Sequence, residues 1–131
     1  MKPQYIFFYG TLMNPDVYRA VTGKELIAED ARLEGYQIYT LKERVYPGIM
    51  PSPSASVMGF FKKIVESELD RLDWFEGNEY ERRIVKIIDH KEHKLASWVY
   101  VLKEECQDIL DGEGWDYEFF ASNHLKDYLG L

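Results

Sequence analysis

Near the start of the chain, Tyr5 to Tyr9 (YIFFY) forms a nearly continuous apolar run that Gly10 ends. A strand with one wet face alternates apolar and polar residues, so an unbroken run like this belongs to a strand covered on both faces. This segment constrains the fold more than any other, because the sheet that holds it must curl on itself or carry helices. With 131 residues the chain suits one domain, spanning residues 1–131, able to bury roughly two-thirds of its unfolded surface.

The rest of the sequence supplies partners for that strand. Asn14-Pro15-Asp16 offers an N-cap and a proline at the first helical position, predicting a short helix from Pro15 to Val21 that stops at Gly23. Leu26 to Leu41 reads as two strands split by a turn at Glu34-Gly35. Tyr46 to Ser56 carries Pro47, Gly48, Pro51, Pro53 and three serines, which predicts a surface loop. A strand follows over Val57 to Val65, with Gly59 marking a bulge or a close backbone approach. Ser67-x-x-Asp70 resembles a capping box, and Leu69, Leu72, Asp73 and Phe75 then fall at helical spacing up to Gly77. Tyr80 to Asp89 and Leu95 to Leu102 pair around a polar turn at His90 to Lys94. Trp115-Asp116-Tyr117-Glu118 opens one further helix, with Phe119, Phe120, Leu125 and Leu129 as its apolar residues. About six strands joined by hairpin-length connections predict an α+β fold: a small mixed, largely antiparallel sheet curling into a β-barrel, flanked by short helices.

Charge and composition exclude several functions. The 16 Lys+Arg against 23 Asp+Glu leave a net charge of −7 without any basic run, so nucleic acid is not a partner. No apolar run approaches the ~18 residues of a membrane span. The first residues read as a strand, not as a signal peptide, so the expected location is cytoplasmic. A single cysteine, Cys106, excludes a disulfide framework and a Cys-based zinc site, and Glu104 and Glu105 beside it make a poor nucleophile. His90, His93 and His124 do not cluster, so no metal is expected. Ser52, Ser54 and Ser56 lack a paired histidine and a G-x-S-x-G elbow. The ten tyrosines suit strands and pocket walls that need one polar tip.

Two segments carry chemistry. In Tyr9-Gly10-Thr11-Leu12, a glycine turn after a buried strand leaves the N–H groups of Gly10, Thr11 and Leu12 without ladder partners, a nest for a carboxylate or an oxyanion. The competing reading is a plain strand-to-helix turn, with Gly10 there to permit an unusual φ. The second segment runs from Leu72 to Arg82. There Glu76 ends a helix beside Trp74 and Phe75. The negative end of the helix and the desolvating aromatics both raise its pKa, as a general base near neutral pH requires. The competing reading is a solvated Glu76 paired with Arg82 or Arg83.

Together these segments resemble the γ-glutamylcyclotransferase-like superfamily, in its AIG2-like branch. Tyr9-Gly10-Thr11-Leu12 matches its Y-G-T-L loop, and Leu72-Asp73-x-Phe75-Glu76-Gly77-x-x-Tyr80-x-Arg82-x-x-Val85 matches its second motif. Tyr46-Pro47-Gly48-Ile49, Val57-Met58-Gly59-Phe60 and the ending from Trp115 to Leu125 extend the likeness almost end to end. The resemblance implies a small mixed β-barrel working without metal or organic cofactor. It also implies an intramolecular reaction on a small-molecule γ-glutamyl substrate: the α-amine attacks its own side-chain carbonyl, closing 5-oxoproline and expelling an amine or amino acid. By position, Glu76 is the catalytic residue and Tyr9, Gly10, Thr11 and Leu12 form the substrate loop. Tyr80 is a further candidate for holding the glutamyl group, or else a barrel-core tyrosine. Arg82 pairs with Asp73 or Glu79, and Glu79 and Glu81 near the site disfavour a second anionic group on the substrate. Two other functions compete with catalysis: a non-catalytic domain binding a small amide or carboxylate, and an interaction module built on the aromatic tail.

Overall fold

A computed structural model describes residues 2–130. Six strands form one sheet: β1 (Tyr5–Phe8), β2 (Glu29–Leu41), β3 (Pro47–Lys63), β4 (Tyr80–Asp89), β5 (Lys94–Leu102) and β6 (Leu110–Glu113). The neighbour order β3-β1-β5-β4-β2, with β3 pairing β2 as well, closes five strands into a mixed barrel; β6 is an extra strand on β2. Every pairing is antiparallel except that of β1 with β5, where Ile6 faces Trp98.

The short apolar run is covered on both faces. Phe7 and Tyr9 join Leu33, Ile49, Val57, Ile87 and Val99 in a cluster to which all five barrel strands contribute. Ile6 and Phe8 point the other way, into a second cluster with Val17, Tyr18, Leu69 and Leu72 of the flanking helices. Gly59 marks a close approach, as expected: a Cβ there would sit 2.1 Å from the Phe8 carbonyl oxygen.

Four short helices pack outside: α1 (Pro15–Thr22), α2 (Glu66–Glu76), α3 (Tyr117–Asn123) and α4 (Leu125–Leu129). The ends of α1 follow its sequence signals. The Asn14 side chain accepts from the Asp16 and Val17 N–H groups, and Gly23 closes the helix at φ 76. Among the described residues no helix is long and apolar enough to cross a membrane.

Four expectations need correction. Residues 26–41 hold one strand, not two: Gly35, at φ 85, makes a bulge, standing alone opposite residues 52–55 of β3. Residues 47–56, expected as a loop, are the first half of β3. Residues 47–51 and Ser56 pair only with β2, while 52–55 have no register partner; an edge tolerates proline because its missing N–H can face away from the ladder. The capping box does not form. The N-cap of helix α2 is Val65, two residues earlier, with no side-chain cap, and the Val65 carbonyl accepts from the Glu68 and Leu69 N–H groups instead. The tail is broken at His124, whose φ is −126. Five residues along a straight helix turn the side chain by about 140°, so only a break lets both Phe120 and Leu125 reach the core. Phe119, expected among the apolar contacts, is 58% exposed.

Candidate active site

Where β1 leaves the sheet at Phe8, a cavity of about 120 Å³ opens between the Tyr9–Leu12 loop, the start of β3 and the end of α2. Its size suits a group no larger than one amino acid, well below the several hundred Å³ of a drug-sized site. Tyr9, Gly10, Thr11, Leu12, Glu76 and Tyr80 all line this one cavity, with Tyr46, Pro47, Phe75, Tyr100 and Tyr128 completing the wall. Glu76 is the only charged residue among them.

Glu76 closes α2, whose C-cap is Gly77 at φ 71. Its carboxyl has no ion pair and accepts no hydrogen bond among the described residues, because Arg82 goes to Asp73 and Arg83 to Glu81. The pairing of Glu76 with Arg82 or Arg83 therefore fails. Burial, and secondarily the Asp73 carboxylate one turn earlier, push its pKa up from 4.5 to about 8. Of the two aromatic neighbours, only Phe75 lines the cavity. Trp74 lies about 200° around the helix from Glu76 and is 85% exposed.

Four tyrosines surround this carboxyl: Tyr9, Tyr80, Tyr100 and Tyr128. Burial raises the pKa of each, and the negative charge of Glu76 adds to the rise. None donates to Glu76. Tyr9 donates to the Tyr100 carbonyl at 2.7 Å, Tyr80 to the Pro47 carbonyl, and Tyr100 to Asp73 Oδ1 at 2.7 Å, while the Tyr128 hydroxyl lies 3.2 Å from Thr11 Oγ1. Tyr80 is thus both a cavity wall and a bonded core tyrosine. Tyr9 contributes ring surface, since its hydroxyl is committed.

The loop after β1 turns into a 3₁₀ segment, Thr11–Met13, held by bonds from Met13 N to Gly10 O and from Asn14 N to Thr11 O. The N–H groups of Gly10, Thr11 and Leu12 donate to no other described residue. Gly10 itself sits at φ −123, so no left-handed conformation explains it. Crowding does: a Cβ there would lie 3.1 Å from Cδ and Cγ of Pro47.

Glu79 and Glu81 do not line the cavity. Glu79 accepts from Arg44 Nε at 3.0 Å and from the Tyr46 hydroxyl at 2.7 Å, and Glu81 is held by Arg83. Their expected repulsion of an anionic substrate is therefore neutralised. Tyr46, Tyr100, Tyr128 and Asp73 were not singled out from sequence for the site. Tyr46 and Asp73 stand in the motifs that carry the family resemblance, whereas for Tyr100 and Tyr128 the one signal is the tyrosine excess, which has no periodicity to point at particular residues. Among the described His, Cys, Asp and Glu residues, no group of three converges as a metal site would require.

Comparison with known proteins places this geometry. The family model described as "Gamma-glutamyl cyclotransferase, AIG2-like" matches residues 6–117. The chain belongs to this family. Among curated relatives, AIG2-like protein D of Arabidopsis thaliana is 35% identical over 129 residues, covering 96% of this chain and 84% of the relative. AIG2-like protein B of the same plant is 33% identical over 127 residues, covering 95% and 73%. A solution structure from Arabidopsis thaliana superposes with a TM-score of 0.76 at 29% identity, covering 99% of this chain and 79% of that one. A structure titled "Gamma-glutamyl cyclotransferase" shares the fold, with a TM-score of 0.69 at 17% identity, covering 98% and 85%. For this AIG2-like chain, then, the barrel and the cyclotransferase-like class hold at family level.

Proposed function

We propose that this AIG2-like protein is a γ-glutamyl cyclotransferase in which Glu76 moves the proton. The observation that carries the reading is a carboxyl with raised proton affinity and no protein partner, in a small cavity that also contains three unused backbone N–H groups. An α-amine has a pKa of about 8, so Glu76 at about 8 is matched to take its proton near neutral pH. The freed nitrogen attacks the side-chain carbonyl carbon, and the new C–N bond closes the five-membered ring. As the tetrahedral intermediate collapses, Glu76 gives its proton to the leaving nitrogen while that C–N bond breaks, and the carboxylate so freed takes the second proton from the ring nitrogen, so 5-oxoproline and a free amine result. Among the described residues the cavity wall offers no cation, so the Gly10, Thr11 and Leu12 N–H groups hold the anionic oxygens of the substrate, on the α-carboxylate or at the developing oxyanion. Confinement of amine and carbonyl in so small a space supplies several kcal/mol of the acceleration.

The test is release of 5-oxoproline from γ-glutamyl amino acids, glutathione and γ-glutamyl amines. Turnover on at least one class is expected. Binding without turnover on all three would point instead to a non-catalytic domain that uses the same loop to hold an amide or carboxylate.

A further inference from the structure

Among the groups around Glu76, Asp73 is distinct because it faces the solvent, with 41% of its side chain exposed, yet has three protein donors. Arg82 donates to it through both prongs, Nε to Oδ1 at 2.8 Å and Nη2 to Oδ2 at 3.0 Å. The Tyr100 hydroxyl donates to the same Oδ1 at 2.7 Å. These donors come from facing positions of one ladder, since Arg82 of β4 is the register partner of Tyr100 on β5. The Arg82 guanidinium is itself fixed, lying 4.1 Å from the Trp98 ring centroid. An exposed carboxylate could be hydrated by water and needs no such clamp; an ion pair at that exposure adds little stability.

We propose that Asp73 is a positioning residue for Glu76: held by Arg82 one helical turn before it, Asp73 captures the Tyr100 hydroxyl and so leaves the Glu76 carboxyl without a donor. This rests on reading Glu76 as the base. The groups facing Glu76 are Asp73 on its own helix, Tyr9 at the end of β1, Tyr80 on β4, Tyr100 on β5 and Tyr128 on α4. Tyr9 and Tyr80 donate to backbone carbonyls elsewhere in the wall, and the Tyr128 hydroxyl is in hydrogen-bond contact with Thr11 Oγ1. Tyr100 alone is committed to another carboxylate on the helix that carries Glu76. Asp73 acts on Glu76 in two ways with the same sign. It withholds a hydrogen bond that would favour the ionised form, and it places a like charge nearby. Both keep the proton affinity of Glu76 high, and Arg82 tempers the second by neutralising part of the Asp73 charge.

The experiment follows the Glu76 carboxyl directly. Its ¹³C resonance is titrated in Glu-labelled protein and assigned by its absence from the Glu76→Gln spectrum. Asp73→Asn keeps the shape and removes the charge, and the Glu76 midpoint should fall by about one unit. Asp73→Ala also frees the Tyr100 hydroxyl to turn towards Glu76, so its midpoint should fall further. In both variants the rising limb of kcat/KM against pH should move down with the midpoint, and the plateau above it should drop because a weaker base remains. A merely structural Asp73 would lower the thermal midpoint and the plateau while leaving both titrations in place, and that result overturns the proposal. The base reading is judged separately: a fully active Glu76→Gln refutes it, whatever the Asp73 variants do to the resonance.

Discussion

Replacing Glu76 by Gln separates a catalytic carboxyl from an ornamental one, and the structure gives the size of the stability effect as well as its sign. Folding raises the Glu76 pKa from 4.5 to about 8, so the folded protein holds a proton that the unfolded chain releases. The resulting stabilisation is complete below about pH 4.5 and is lost as the pH rises through about 8. At ~1.4 kcal/mol per unit, ionising Glu76 inside the cavity costs roughly 3 to 5 kcal/mol. Gln keeps the shape and stays neutral at every pH. The variant should therefore match the parent protein near pH 4.5 and exceed it at pH 9, by on the order of 10 °C in thermal midpoint for a domain of this size. Turnover should behave in the opposite way, with kcat falling by about 10² to 10⁴ while substrate still binds. Thermal scans from pH 4.5 to 9 and 5-oxoproline release on the same two proteins test both halves. A stability difference that does not grow with pH would refute the burial argument, and full activity of the variant would refute the mechanism.

Three further outcomes are expected. Gly10→Val should weaken ligand binding, measured by calorimetry, more than it lowers the thermal midpoint, because its Cβ would press on Pro47, whose carbonyl anchors Tyr80; normal binding would remove the loop from the site. Burial pushes Glu68 up, but the hydrogen bond from Tyr18 and the charges of Lys62 and Lys24 outweigh it and leave its pKa below 4.5. Glu68→Ala should thus cost about 3 kcal/mol in chemical denaturation at pH 7, and the difference should shrink as the pH falls below 4.5; an undiminished difference at pH 3 would contradict it. Dialysis against EDTA should leave turnover and thermal midpoint unchanged, and a loss restored by zinc or manganese would overturn the metal-free mechanism.

What was legible in the sequence follows the range of each interaction. Local signals read well: Asn14 and Gly23 bound α1, and Tyr80 to Asp89 pairs with β5 across a polar turn, as their own residues announce. Signals that depend on a distant partner read poorly. Pro47 and Pro51 look like loop residues until β2 supplies one neighbour and leaves the other edge free. His124 gives no warning of a helix break, because the break is imposed by the core on both sides of it. At the site, Glu76 and the Tyr9–Leu12 loop could be picked out because a helix end and a glycine turn are local features with a chemical consequence. Tyr46, Tyr100, Tyr128 and the Asp73 clamp lie on separate elements, and only the closed barrel brings them together. Tyr80 could be named from sequence, but the engagement of its hydroxyl could not.

On the proposed mechanism, that engagement is what suits the cavity to proton transfer. A half-buried carboxyl among tyrosines would ordinarily collect their hydroxyls, each donated bond stabilising the anion and weakening the base. Here every neighbouring hydroxyl has a prior partner: Tyr9 and Tyr80 bond to backbone carbonyls of the barrel, Tyr128 meets Thr11, and Tyr100 bonds to Asp73. Buried polar groups must find partners somewhere, and satisfying these hydroxyls on other groups leaves the Glu76 carboxyl without a protein donor among the described residues. On the proposed mechanism the incoming ammonium donates to Glu76. It gains a hydrogen bond and a counter-charge together, which lowers the Glu76 pKa at the moment of binding and draws the carboxyl into its ionised, proton-accepting form. Stability forgone in folding around an unpartnered acid is thereby recovered on substrate binding, and a wall built from tyrosines, not from arginines or lysines, is what keeps that exchange open.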